Sequence, residues 1–381
     1  MRRLPMVALI GAVSCLLGAA GSAVGEDDST PGDVGAAPAP GTSFEVDPFW
    51  PKPLPNNWIL GQVAGVAVDA QDHVWIVHRP GSLTEDEAGA MQDPPVSTCC
   101  VPAPPVIEFD HDGTVIQAWG GLESHEAWPG TEHGLFIDHM DRVWVGGSGA
   151  NDHVVLAFDR NGHHELTIGE PGVTGGSNDT AHLGRPADFA VDPEANEVYI
   201  ADGDGNRRII VFDSRTGSYK RHWGAYGETP RDDTPGPYDP DAPPARSFRT
   251  PVHAVRLSDD GLVYVADRVN NRIQVFRKDG TFVREGLVAP RTLGNGTVWD
   301  IELSTDPAQA RLYVPDGTNM KVWILRRDDL SVVGSFGRGG RNAGHFNWVH
   351  NVASDSHGSL YTTEVNTGKR VQRFVPRAPH P

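Results

Sequence analysis

Three histidines, His133, His253 and His350, sit at one position of an internal repeat, in alternate repeat units. If six such units close into a ring, every second unit stands a third of a turn from the next. Three neutral imidazoles meeting on the axis would hold one divalent transition ion. They would leave coordination positions open for water or substrate, the pattern of a catalytic zinc site. The chain has 16 histidines, and several, such as His73, His111 and His163, fall in loops. An isolated His125-Glu126 pair says little. Three histidines in one slot of alternate units is the specific signal.

With the innermost strands aligned on the Val-Ala-Val-Asp pattern of unit one, the slot lies two positions before the residue aligned with its first Val. It contains Ala64, His133, Ala187, His253, Trp299 and His350. The next position contains Gly65, Gly134, Asp188, Ala254, Asp300 and Asn351. Asp188, Asp300 and Asn351 are therefore expected to hydrogen-bond the ring nitrogens that face away from a metal. Arg79 and Arg268 occupy equivalent places after the second run of units one and four. A guanidinium grips a carboxylate through two parallel hydrogen bonds. Asp202 and Asp267 belong to Asp-Gly-Asp-Gly-Asn-Arg and Asp-Arg-Val-Asn-Asn-Arg segments, which read as turns. The Asp202–Asn206 stretch lacks the glycine and terminal glutamate of a calcium loop.

The elements that must position these residues are short strands. Runs such as Val74-Trp-Ile-Val77, Val143-Trp-Val145 and Arg208-Ile-Ile-Val-Phe-Asp213 are rich in β-branched and aromatic residues and bounded by Gly, Asp, Asn or Pro. They recur in sets around Gly65, Gly134, Asp188, Ala254, Asp300 and Asn351. Four short strands per unit, repeated radially, predict an all-β six-bladed β-propeller over residues 43–377, in preference to a seven-bladed ring with one blade missed. The last unit runs out after Phe374, so the segment around Phe44–Trp50 is expected to supply its fourth strand and close the ring.

Composition sets the surroundings. Residues 1–25 carry Arg2 and Arg3, an apolar run from Val7 to Ala20 and small residues at Ala23-Val-Gly25, which reads as a secretory signal. Cys15 lies inside the apolar run, against a lipid anchor, and no later stretch is apolar enough for a membrane span. Residues 26–42 read as a flexible linker rich in Pro, Gly, Ala and Asp. A secreted or periplasmic protein is expected. The net charge of −18 and the absence of a basic patch argue against nucleic acid. Cys99 and Cys100 are adjacent, in a long insertion from Pro80 to Pro105 of unit one. Export favours a disulfide, while adjacent Cα atoms about 3.8 Å apart disfavour it, so a vicinal bridge and two free thiols both stand open.

The Ala-Asp-x-x-Asn-x-Arg-Ile turns with flanking strands resemble NHL repeats. A narrower resemblance rests on Leu60 to Asp69 with His78-Arg79, on His133-Gly-Leu135, Ala201-Asp-Gly203 and Ala266-Asp-Arg268, and on Phe346 to His350. It is to the peptidyl-α-hydroxyglycine α-amidating lyases, NHL-type six-bladed propellers. That resemblance implies zinc on His133, His253 and His350, and Arg79 as carboxylate anchor with Arg268 as a second pocket arginine. It also implies a structural calcium held by the carbonyls of Val66 and Leu135. Two positions depart from the family. Asp204 stands where the family has a tyrosine base, and Asn351 where it has a calcium-binding aspartate. A carboxylate can serve as a base, while an uncharged amide weakens a calcium site. The expected function is a secreted metal-dependent lyase, acting as a monomer on a small-molecule or peptide substrate with a carboxylate. The competing readings are a metal-dependent hydrolase on the same histidines and a non-catalytic propeller that binds a ligand or a protein.

Overall fold

A computed structural model describes residues 43–233 and 235–377. The signal expected at 1–25 and the linker at 26–42 lie outside the described residues. Six four-stranded antiparallel sheets are present. Blade one is built from Gln62–Val68, Val74–Arg79, Val106–Phe109 and Val115–Trp119. Blades two to five follow in the same inner-to-outer order, their innermost strands being Glu132–Ile137, Asp188–Asp192, Val252–Leu257 and Glu302–Leu303. Blade six takes Val349–Ser354, Leu360–Glu364 and Arg370–Pro376. Its fourth strand is Phe44–Asp47, which pairs antiparallel with the last strand, Phe44 opposite Pro376 and Asp47 opposite Arg373. The ring thus closes where the sequence places the closure.

Burial follows from this stacking. The middle strands are covered on both faces by neighbouring blades and read as unbroken apolar runs, such as Val154–Phe158 and Ile209–Phe212. One hydrophobic cluster fills each gap between neighbours. Trp75, Val77, Leu135 and Leu156 join blades one and two. Val66, Ile76, Tyr361 and Val371 join blades one and six, so no gap is left open. The outermost strands bury little. His164–Gly169 and Phe282–Leu287 close blades two and four with mostly polar or exposed residues, and no apolar run marks them in the sequence.

The Asp202–Arg208 and Asp267–Arg272 turns are structural. The Asp202 carboxylate accepts from Asn206 and from Arg208 Nε at 2.7 and 2.8 Å, and Asp267 accepts from Asn270 and Arg272 Nε, both at 2.7 Å. Each aspartate thereby ties the end of a second strand to its turn and to the start of the third. In the Pro80–Pro105 insertion, Val101–Pro102 pairs parallel with Trp58–Ile59, and Cys99 and Cys100 are bonded to each other.

Candidate functional site

The pairing of the innermost and second strands slips in register at the slot. The slips fall between Glu132 and Leu135, Val252 and Ala254, and Val349 and Val352, in the three blades that carry histidine, and also between Val63 and Gly65, around Ala64 of blade one. A bulge of this kind leaves one residue out of the ladder and re-aims its side chain. Here it releases His133, His253 and His350 into the central channel. Gly134 beside the slot permits the close approach of blade three, since a Cβ there would meet Ala187 O at 2.8 Å.

The three rings form a nearly equilateral triangle, with centroids 4.9–5.0 Å apart. They are 5 %, 1 % and 3 % exposed. Each Nδ1 faces a main-chain carbonyl of the next blade. His133 meets Ala187 O at 2.8 Å, His350 meets Ala64 O at 2.9 Å, and His253 meets Trp299 O. Those carbonyls belong to the non-histidine slots, so all six blades take part: three give imidazoles and three give the acceptors that orient them. Nδ1–H donation to the carbonyl fixes the tautomer and leaves the Nε2 lone pair for another partner. His253 Nε2 is buried with no hydrogen-bond partner.

Burial holds His133 down to about 3, with the charge of Arg79 acting in the same direction. Burial also pushes His253 and His350 well below the usual imidazole range. All three rings are therefore neutral at physiological pH, as metal ligation requires. The available ligand atoms lie within 4.8 Å of one another. An equilateral triangle of that edge has its centre at most about 2.8 Å from each corner, against Zn–N bonds of about 2.0–2.1 Å. The residues fit a zinc-like ion with small inward adjustments. A second cluster, Asp69, His73 and Glu108, already contains a cation: Arg160 Nη2 bonds Asp69 at 2.6 Å and contacts Glu108.

The other expected site residues gather around this ring. Arg79 Nε donates to Glu132 O at 2.6 Å, the residue before His133, and its Nη1 donates to Gln62 at 2.8 Å. Arg268 lies over Trp299, 4.4 Å from the ring centroid, and burial lowers it to about 10 against the pull of Asp204. Asp204 Oδ2 sits 3.8 Å from His133 Nε2 and is buried without a hydrogen-bond partner. Burial raises the Asp204 carboxyl above its ordinary range, and Arg268, Arg185 and Arg79 oppose that rise. Trp299 packs against His253 and His350 at 5.7 and 5.6 Å and forms an apolar wall.

Two expectations need correction. Asp188 and Asp300 do not reach the imidazoles. Both are occupied by Arg256, whose Nη1 contacts Asp188 and whose Nη2 lies 3.1 Å from Asp300 Oδ1. Of the three, only Asn351 approaches a ring, its Oδ1 lying against His350 Nδ1 while its amide donates to Asp300 at 3.2 Å. The same arrangement bears on calcium. Val66 and Leu135 do lie on innermost strands two residues past the slot. But the Asn351 oxygen is turned to His350, and the two carboxylates at this level are bound by a guanidinium. Calcium takes six to eight oxygens, and these residues fit it poorly, because Arg256 supplies the positive charge.

Arg185 belongs to the site and escaped the sequence reading. It stands two residues before the Ala187 slot, outside any strand, with φ of 62°. Its Nε donates to Ser148 O at 2.7 Å, and its own carbonyl accepts from Asp204 N at 3.1 Å. The place before the slot holds no recurring residue type, so only the fold brings Arg185 to Asp204.

Comparison with known proteins agrees with this architecture. The family model for the NHL repeat matches residues 252–276, the inner three strands of blade four with His253. NHL repeat-containing protein 3 of Mus musculus is 28 % identical over 300 residues, covering 76 % of this chain and 69 % of that protein. Peptidyl-glycine alpha-amidating monooxygenase B of Xenopus laevis is 27 % identical over 354 residues, 87 % of this chain but only 36 % of that longer protein. A probable peptidyl-alpha-hydroxyglycine alpha-amidating lyase of Caenorhabditis elegans is 28 % identical over 219 residues, 57 % of this chain and 56 % of its own length. Among solved structures, a streptogramin B lyase superimposes with a TM-score of 0.53 at 12 % identity, covering 88 % of this chain and 98 % of its own, a likeness of fold alone. Repeat, ring and relatives together make this chain an NHL-repeat β-propeller protein related to the peptidyl-glycine α-amidating enzymes and to NHL repeat-containing protein 3.

Proposed function

We propose that this protein is an exported, metal-dependent lyase that splits the C–N bond of an α-hydroxyglycine-type carboxylate, releasing an amide and glyoxylate. The observation that carries the reading is the ring of three neutral, carbonyl-oriented imidazoles with an unpartnered Nε2 at its centre. His133, His253 and His350 would hold a zinc-like ion, which supplies Lewis acidity toward the substrate hydroxyl when bound. The relation to a probable α-amidating lyase supports the reaction class.

The chain's own groups divide the remaining work. Arg79, held at Nε and Nη1 by Glu132 O and Gln62, presents its remaining amine to the substrate carboxylate. Asp204, 3.8 Å from His133 and raised by burial, takes the proton from the α-hydroxyl. The hydroxyl oxygen then forms the aldehyde C=O as the C–N bond breaks, and the departing nitrogen receives the proton from Asp204 to become the amide. No oxidant is needed. Trp299 and the burial of the ring keep bulk water from the reacting carbon.

The test is twofold: elemental analysis of purified protein, then glyoxylate release from α-hydroxyglycine acyl compounds, one neutral, such as α-hydroxyhippurate, and one with a second carboxylate on its acyl group. One transition ion per chain and glyoxylate production support the reading. Protein that binds no transition ion after incubation with zinc, or that binds zinc and releases no glyoxylate, overturns it.

A further inference from the structure

Three guanidinium groups stand one link from the imidazole ring. Arg79 is bonded to the residue before His133, and Arg268 covers the tryptophan whose carbonyl orients His253. Arg185 lies two residues before the alanine whose carbonyl orients His133. Among the described residues, no carboxylate lies within 4.0 Å of any of these three groups. The other arginines of the fold's interior are treated differently: Arg208, Arg256 and Arg272 each sit on a carboxylate at 2.5–2.8 Å.

Arg79 and Arg185 are pinned at Nε by main-chain carbonyls, at Glu132 and Ser148, which leaves guanidinium amines turned elsewhere. Arg185 also holds a left-handed backbone, φ 62°, a conformation that non-glycine residues keep when the surroundings impose it. The hydrogen bonds from Asp204 N to Arg185 O and from Gly205 N to Gly184 O impose it here. Half-buried cations without partners are costly unless an anion meets them. Asp204 acts on all three from beyond 4.0 Å, and Glu132 and Asp152 act on Arg79, yet none of these carboxylates pairs directly with a guanidinium.

We infer that the site takes a substrate with two anionic groups, the α-carboxylate on Arg79 and a second carboxylate on Arg185, with Arg268 serving both. The inference rests on the lyase reading for the bond that is broken, and on the arginines alone for the binding. It names the acyl side of the substrate: short and acidic, as in a dicarboxylic acid monoamide of α-hydroxyglycine.

Zinc-loaded protein titrated calorimetrically with glutarate and with butyrate separates the two. The expected result is that glutarate binds about tenfold tighter or more, as a charge-assisted hydrogen-bonded pair implies. Arg185→Gln should bring the ratio close to one, and Arg185→Lys should recover part of it. Equal binding of the two acids by the unaltered protein overturns the inference, as does an unchanged ratio in folded Arg185→Gln. A preference that disappears when the zinc is removed also overturns it, since the metal rather than Arg185 would then select the dianion. Glyoxylate assays read separately. A dianion preference without lyase activity removes the proposed reaction and leaves the subsite standing; activity without preference does the reverse.

Discussion

Arg256→Met is the sharpest test of how the channel below the histidines is held. The Arg256 side chain is 10 % exposed, and those of Asp188 and Asp300, which it joins, are 3 % and 0 % exposed. Methionine keeps much of the volume and removes the charge, leaving Asp188 and Asp300 buried together with Glu302, 3.7 Å from Arg256 Nε, beside them. Removing one partner of a buried charge network costs about 3–5 kcal/mol. At about 2 °C per kcal/mol for a large domain, Tm should fall by roughly 6–10 °C. Burial already pushes Asp188 up to about 6 against the pull of Arg256, and raises Asp300 as well. Without Arg256 both rise further. A carboxylate raised above its unfolded value binds a proton more readily in the native state, so its penalty is absent at low pH and grows as pH rises through the folded value. The Tm deficit should therefore be larger at pH 8 than at pH 5, measured by calorimetry at both. A deficit below about 2 °C, or one independent of pH, would refute the view of Arg256 as the charge that satisfies this channel.

Other outcomes follow from the same geometry. His253→Ala should lose the bound transition ion in elemental analysis while its circular dichroism stays that of a folded propeller; retained ion would remove the histidine ring from metal binding. Arg79→Gln should lower kcat/KM for a carboxylate substrate by roughly 10–100-fold, the worth of a charge-assisted hydrogen bond, and a change within threefold would place Arg79 outside the site. Asp204→Asn should lower kcat by about 100-fold or more and abolish the rise in rate with pH that a deprotonating base produces; a pH profile unchanged in shape assigns the base elsewhere. A calcium-selective chelator should leave Tm within about 1 °C, because Arg256 already meets the carboxylates near Asn351; a larger fall would restore calcium to the channel.

Much of this was legible in the sequence because propeller blades repeat. The slot alignment located His133, His253 and His350, and the unfinished last unit located Phe44–Asp47 as its missing strand. The outer strands of blades two and four were not legible, since an outermost strand faces solvent and needs no apolar run. Asp188 and Asp300 were assigned the wrong partner for a different reason. Their alignment beside the slot is correct, but nothing in the repeat shows that Arg256, three residues after His253, turns into the same channel. Arg185 is placed by the loop ahead of a strand rather than by the strand itself, and loop residues carry no register from which to read them.

The closure of blade six also orders events in time. Phe44–Asp47 leaves the ribosome before any of the blades it closes, yet its partners, Arg373 to Pro376, are made after all the other blade strands. His350 belongs to that same final blade, and its Nδ1 acceptor, Ala64, to the first. A nascent chain can stack blades one to five as they emerge, but the third imidazole and its orienting carbonyl come together only when the two ends meet. Assembly of the histidine triangle is therefore a certificate of a closed ring, and a chain truncated before blade six holds two histidines and an open ring.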